Sequence, residues 1–232
     1  MVFVIAEIGI NWDGQIELAK TMIKNAKRSG CDAVKFQAFN NEIIGDHPEK
    51  ERLLKSSISD SNIKEITSYA KKNEIEWLCT PMYVDAVELI NKYVKKFKIR
   101  QSDGIPIVNN QKTKLLDAIL KTDKNIIISS EISPKKSNLY NNNQVSWLYC
   151  VPKYPCKVEE IDFSYLNDFD GYSNHCQDIL VPSIAASLGS KMIEIHVTND
   201  KSKNFIDNPV SFDFKEVEEI TTSIRKIEKI KK

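Results

Sequence analysis

Two lysines sit where lysines are costly. Lys35 lies between Val34 and Phe36, and Lys98 between Phe97 and Ile99, each inside a short apolar run that reads as a β-strand. A buried ammonium group needs a partner. The plain reading is that each lysine faces out at a strand end or pairs with a carboxylate. Thr80, Ser129 and Ser173 also fall at the ends of apolar runs. Together the five make a set suited to an oxyanion or phosphate, because ammonium and hydroxyl groups are the donors such a group takes. The chain has only three histidines, His47, His175 and His196, so any histidine chemistry must use them. A lone histidine is usually a hydrogen-bonded structural residue. His175 and His196, however, close consecutive predicted strands, and with Glu7 or Asp207 nearby they would hold one divalent metal through two imidazoles, a carboxylate and waters. Both readings of the pair stand at this point. Cys176, beside His175, is not read as its nucleophile, because adjacent residues rarely point together.

These residues form a site only if their strands are neighbours. Apolar runs alternate with amphipathic, lysine-rich stretches along the chain. Strands are predicted at Phe3–Ile8, Ala33–Gln37, Glu76–Thr80, Lys96–Ile99, Asn125–Ser129, Val145–Cys150, Phe169–Ser173 and Met192–His196. Helices are predicted at Ile16–Ser29, closed by Gly30, and at Asn62–Lys72, Asp85–Lys92, Thr113–Lys121, Ile179–Leu188 and Phe212–Lys231. The stretch Pro134–Asn143 is polar and reads as short or irregular. Parallel neighbours need a crossover, so eight such units predict one (β/α)8 TIM barrel over residues 1–232. A doubly wound open sheet is the rival, weakened because no glycine-rich nucleotide fingerprint follows the first strand. In a barrel, chemistry belongs to the C-terminal strand ends. Reading those ends in turn gives Glu7 and Asn11, Lys35 and Gln37, Thr80, then Lys98, Gln101 and Asp103. Ser129, Ser130, Tyr154, Ser173, His175, Glu194 and His196 complete the set, with Asp207 in the last loop. Trp77 and Trp147 read as packing residues, whereas Trp12 falls in the first loop of the active face.

Composition narrows the classes of function. The 232 residues carry 33 lysines and arginines against 32 aspartates and glutamates, a net charge of +1, which gives no broad attraction to nucleic acid or an anionic membrane surface. No apolar run approaches the ~20 residues needed to span a bilayer. The N-terminus reads as a strand and not as a signal peptide. The five cysteines are odd in number, scattered and without a CxxC pair. That argues against a disulfide framework or structural zinc and for a reducing, cytoplasmic setting.

The strand-end motifs together resemble the catalytic barrel of the sialic acid synthases (N-acylneuraminate synthases). The matching stretches are Ala6-Glu7-Ile8-Gly9-Ile10-Asn11 with Gly14, Asp32-Ala33-Val34-Lys35-Phe36-Gln37, Cys79-Thr80-Pro81-Met82, and Phe97-Lys98-Ile99 with Asp103. They continue through Ile128-Ser129-Ser130, Tyr154-Pro155, Gly171-Tyr172-Ser173-Asn174-His175 and Ile193-Glu194-Ile195-His196-Val197-Thr198. Each is weak alone; in family order over nearly the whole chain they are specific. The resemblance implies condensation of phosphoenolpyruvate with an N-acylated amino sugar, giving a nine-carbon 2-keto acid and phosphate by C–O cleavage. It implies a divalent metal at His175 and His196, expected to be Mn²⁺, with Mg²⁺ or Co²⁺ as alternatives. It implies that Lys35, Thr80, Lys98, Ser129 and Ser173 bind phosphoenolpyruvate, with Gln37, Asp103 and Tyr154 also contacting substrate. Glu7, Glu194 and Asp207 become the catalytic candidates near the reacting carbons. A homodimer is a further expectation.

Several positions depart from the family pattern. Trp12-Asp13 stand where the first loop usually has His-Asn, and Gln101 and Asp103 where the strand-four motif has Ser and Glu. Ser130-Glu131-Ile132 replaces Thr-Gly-Met, Tyr149 replaces the His of a His-Cys pair, Asn174 replaces Asp, and Asn208 replaces a His after Asp207. The sequence ends at Lys232, where the family commonly adds an antifreeze-like domain that completes the partner's sugar site. The expectation is therefore an active enzyme with its metal and phosphoenolpyruvate half retained and its sugar half altered. The rivals are a non-catalytic barrel that binds sugar or phosphate, and another metal-dependent aldolase or isomerase on the same fold.

Overall fold

The computed structural model describes residues 1–231. Eight parallel strands run in sequence order: β1 (Phe3–Gly9), β2 (Ala33–Ala38), β3 (Glu76–Pro81), β4 (Lys96–Ile99), β5 (Asn125–Ser130), β6 (Val145–Tyr149), β7 (Gly171–Asn174) and β8 (Met192–Thr198). β1 also pairs with β8, so the sheet closes on itself. The outer helices are α1 (Ile16–Arg28), α2 (Asn41–Ile44), α3 (Lys50–Lys55), α4 (Ile63–Lys72), α5 (Val84–Asn91), α6 (Gln101–Val108), α7 (Lys114–Leu120), α8 (Leu180–Ser187) and α9 (Phe214–Ile230). This is the (β/α)8 barrel expected from the alternating pattern; the open sheet is excluded by the β1–β8 pairing.

Strand alternation makes two cores. Residues such as Val4, Ala6, Val34 and Phe36 point outward and pack against helices, for example against Ala19, Met22, Ile23 and Ala26 of α1. The alternate residues point into the barrel, where Ile5, Ala33, Leu78, Ile127 and Leu148 form a separate apolar plug. Gly171 is required where β7 meets β8, because a Cβ there would lie 2.0 Å from the Met192 carbonyl oxygen. The far end of the chain is tied back to its start: Arg225 of α9 donates to the Val2 carbonyl and pairs with Asp32.

The structure differs from the sequence expectation at four places. The polar stretch after β2 folds into α2 and α3, each too short to show helical periodicity. α6 precedes the expected helix after β4; Gly104 and Pro106 mask it in sequence. Gly104 earns its place by contact, since a Cβ there would sit 2.4 Å from the Ser129 carbonyl. Strand seven begins at Gly171, because Asp170 is used as a cap, its carboxylate accepting from the Trp147 amide at 2.9 Å. The last helix begins at Phe214, because Phe212–Asp213 first form a short strand, β9, against the end of β8. Asp213 then caps α9 in a reciprocal box with Glu216.

Candidate active site

One pleat above the apolar plug, the inward residues become polar. Ile5 is followed by Glu7, Ala33 by Lys35, Leu78 by Thr80 and Ile127 by Ser129, with Lys98, Ser173 and Glu194 completing the layer from β4, β7 and β8. Register places these side chains together: Glu7 lies opposite Lys35 across β1–β2, and Ser173 opposite Glu194 across β7–β8. Lys35 Nζ lies 3.0 Å from Glu7 Oε1 and 3.5 Å from Glu194 Oε1, and donates to Thr80 Oγ1 at 3.3 Å. Lys98 Nζ donates to the same Glu194 Oε1 at 3.2 Å, and Ser173 Oγ donates to it at 2.9 Å. One carboxylate oxygen thus holds two ammonium groups and a hydroxyl. Glu7 Oε2, Glu194 Oε2 and Ser129 Oγ are buried without a hydrogen-bond partner among the described residues. Buried polar atoms left unpaired are costly and mark the place where a polar ligand fits.

The ionisation of this layer follows from its pairing. Burial works against the Lys35 ammonium, but Glu194 and Glu7 outweigh it and the pKa rises. For Lys98, burial wins, reinforced by repulsion from Lys35, and the pKa falls despite Glu194. Burial also opposes the Glu194 carboxylate, but the two lysines and Ser173 reverse it and hold the carboxyl well below its usual range.

Above this layer stand the histidines. β1 bulges between Glu7 and Gly9, and Gly9 takes a φ of +53°. A Cβ on Gly9 would come within 3.2–3.3 Å of Glu7 Oε1, Asp207 Oδ2 and Gln37 Nε2, so this glycine lets three functional side chains converge over bare backbone. Gln37 Nε2 donates to Glu7 Oε1 at 2.6 Å. Asn11 holds the Asp207 loop: its Oδ1 accepts from the Asp207 amide at 3.1 Å, and its Nδ2 donates to Val197 and Ser211. Asp207 Oδ2 then lies 3.5 Å from His196 Nδ1, which has no hydrogen-bond partner among the described residues. The His175 and His196 rings are 5.5 Å apart between centroids. His175 Nδ1 donates to the Val151 carbonyl at 2.6 Å, and the Tyr154 hydroxyl donates to His175 Nε2 at 2.8 Å. Burial, with His196 second, depresses His175 to a pKa of about 3, so its ring is neutral at pH 7.

The cavity enclosed by these groups measures about 350 Å³ and is lined by the strand-end residues read from sequence except Asn11, Asp103 and Ser130. Asp103 is a correction: it turns back in the first turn of α6 and pairs with Arg100 at 2.7 Å, outside the lining. Trp12 is another, since it is 1% exposed, packs edge-on against Phe36 and donates to the Ser56 carbonyl, so it belongs to the core. His47 sits in the exposed α2–α3 connection, where its Nδ1 accepts from the Glu49 amide. Gln101, read at the end of strand four, lines the cavity, as do Arg100 and Ser102, which were not read as site residues. The signal for Arg100 was a basic residue directly after β4.

The donor chemistry fits a divalent cation of borderline softness: two neutral-capable imidazoles, one with its tautomer fixed by a carbonyl, beside a carboxylate. Among the described residues, no three histidine, cysteine, aspartate or glutamate side chains are drawn together as a ready-made cage.

Comparison with known proteins agrees with this geometry. The profile of the NeuB family matches residues 22–232. The chain is 33% identical to an uncharacterized protein of Methanocaldococcus jannaschii, covering 98% of this chain and 71% of that one. It is 30% identical to the N,N'-diacetyllegionaminic acid synthase of Campylobacter jejuni, covering 97% and 76%. The fold superposes on the N-acetylneuraminic acid (sialic acid) synthetase of Leptospira borgpetersenii with a TM-score of 0.87 and 28% identity, over 99% of this chain and 84% of that one. With its barrel, its strand-end motifs and a family profile over most of its length, the chain belongs to the NeuB family.

Proposed function

We propose that the protein condenses phosphoenolpyruvate with an N-acylated amino sugar, taking up one water at carbon 2 and releasing phosphate by C–O cleavage to form a 2-keto sugar acid. The observation that carries this reading is the buried layer of Lys35, Lys98, Thr80, Ser129 and Ser173 beside the His175–His196 pair in one cavity. Phosphoenolpyruvate carries a carboxylate and a phosphate of about −1.5 to −2 near pH 7. Lys35 and Lys98 are the groups to receive it, and Ser129 Oγ and Thr80 Oγ1 offer hydroxyls to its oxygens. On binding, both lysines exchange part of their pairing with Glu194 for the ligand, and Glu194 turns its free oxygen toward the reacting carbons. The cavity balances three cationic side chains (Lys35, Lys98, Arg100) against three carboxylates (Glu7, Glu194, Asp207), so it does not neutralise such an anion alone. His175, His196 and Asp207 would hold a divalent cation, which would add positive charge and Lewis acidity at the acceptor side; Mn²⁺ would suit the donors, with Mg²⁺ or Co²⁺ as alternatives. Glu7, bridged to Lys35 and Gln37, orients the acceptor side. Five buried free thiols are consistent with a reducing cytoplasm.

The test is to incubate the protein with phosphoenolpyruvate, Mn²⁺ and a panel of acylated amino sugars, and to search for a 2-keto acid by mass spectrometry. The expected result is a product whose mass equals sugar plus pyruvate. A product formed without phosphoenolpyruvate points to a different aldolase or isomerase, and no product with any sugar points to a binding protein.

A further inference from the structure

His175 has one nitrogen free for a ligand, and Tyr154 already occupies it. The Val151 carbonyl can only accept, so His175 Nδ1 must carry the ring proton that it donates at 2.6 Å. In the neutral ring, Nε2 then has the only lone pair, and the Tyr154 hydroxyl donates into it at 2.8 Å. The phenol lies along the His175 ring, with centroids 4.1 Å apart and planes 34° apart, and meets the His196 ring edge-on at 5.6 Å and 88°. One side chain therefore covers both imidazoles. Tyr154 belongs to an irregular segment between β6 and β7 and is 57% exposed, so it is anchored by its hydroxyl and one ring face and not by enclosure.

We propose that Tyr154 gates the cation site: its hydroxyl and a divalent cation compete for His175 Nε2, and cation loading swings the phenol off the histidine pair toward the cavity it already lines. This rests on the cation reading given above. A cation that takes His175 Nε2 must first displace this neutral hydrogen bond. The gate therefore predicts that the apo protein resists adventitious metal and that affinity is set partly by how easily Tyr154 leaves.

The test compares Mn²⁺ binding by titration calorimetry on chelator-stripped wild type, Tyr154→Phe, Tyr154→Leu and His175→Ala. Far-UV circular dichroism confirms that each variant is folded. Loss of one neutral hydrogen bond should tighten Mn²⁺ binding roughly two- to tenfold in both Tyr154 variants. His175→Ala should weaken it. Equal or weaker binding in the Tyr154 variants, with His175→Ala still weakened, overturns the gate and leaves the cation site standing. No Mn²⁺ binding by any of the four proteins overturns both.

Discussion

The barrel interior has two layers one pleat apart, and they do opposite work. Ile5, Ala33, Leu78, Ile127 and Leu148 fill the lower layer without a polar atom in their side chains. Two residues further along the same strands, Glu7, Lys35, Thr80, Ser129 and Cys150 begin the upper layer. The lower layer gains free energy from apolar burial. The upper layer holds ammonium groups and carboxylates away from water, which stabilises little net and requires every partner to stay in place. The strands therefore carry both the stability of the fold and the cost of its site. The difference shows why the site is preorganised: the plug fixes the strands, and register alone then brings Glu7 to Lys35 and Ser173 to Glu194.

Mutations in the two layers should separate these roles. The largest stability effect is expected from Glu194→Ala. It removes the carboxylate that lies within reach of both lysines and leaves Lys98 with no other carboxylate within 4.0 Å among the described residues. The expected loss is about 3–5 kcal/mol in urea unfolding. A loss near zero would mean that the buried network is loosely hydrated. Ile127→Ala in the plug should cost about 2–5 kcal/mol through cavity formation, while activity per folded molecule stays near wild type. If activity collapses with stability intact, the layers are not separable. Lys98→Met should invert that result. Stability falls less than in Glu194→Ala, because Glu194 keeps Lys35 at 3.5 Å and the Ser173 hydroxyl at 2.9 Å. Phosphoenolpyruvate affinity falls about 10- to 100-fold, as expected for losing a charge-assisted bond. Calorimetric titration reads the second effect.

A graded effect concerns pH. His175 is depressed to a pKa of about 3 in the folded chain, below its ordinary 6.5, first by burial and then by His196. Between those values the unfolded chain binds a proton that the folded chain refuses. Stability is then full above pH 6.5 and declines as pH falls toward 3, by up to about 1.4 kcal/mol per pH unit. Urea unfolding in chelator at pH 7, 6 and 5 should show this slope, and His175→Asn should flatten it. Parallel slopes in both proteins would contradict a neutral buried ring.

Much of this arrangement was legible from the chain because period-2 alternation labels both layers. Lys35 between Val34 and Phe36 announces a buried cation, and the same parity points Glu7, Thr80 and Ser129 inward. Residues beyond the strand ends were less legible. Asp103 and Arg100 are three apart in sequence, and only the turn into α6 decides that Arg100 lines the cavity while Asp103 pairs behind it. Trp12 follows a strand end yet turns into the core, where Phe36 and the Ser56 carbonyl take its faces and its N–H. α6 itself was hidden because Gly104 and Pro106 are poor helix formers; Gly104 is needed for a close approach to β5 that propensity does not encode.

If the upper layer is a phosphoenolpyruvate site coupled to a sugar acceptor, phosphate release must depend on both substrates and on Lys98. Acceptor-dependent release of inorganic phosphate, measured for wild type and Lys98→Met with Mn²⁺ present, tests it most directly. Phosphate is expected only when phosphoenolpyruvate and an N-acylated amino sugar are both supplied, at a rate at least tenfold lower in Lys98→Met at subsaturating phosphoenolpyruvate. Phosphate release that ignores the sugar, or an equal rate in the two proteins, would contradict it.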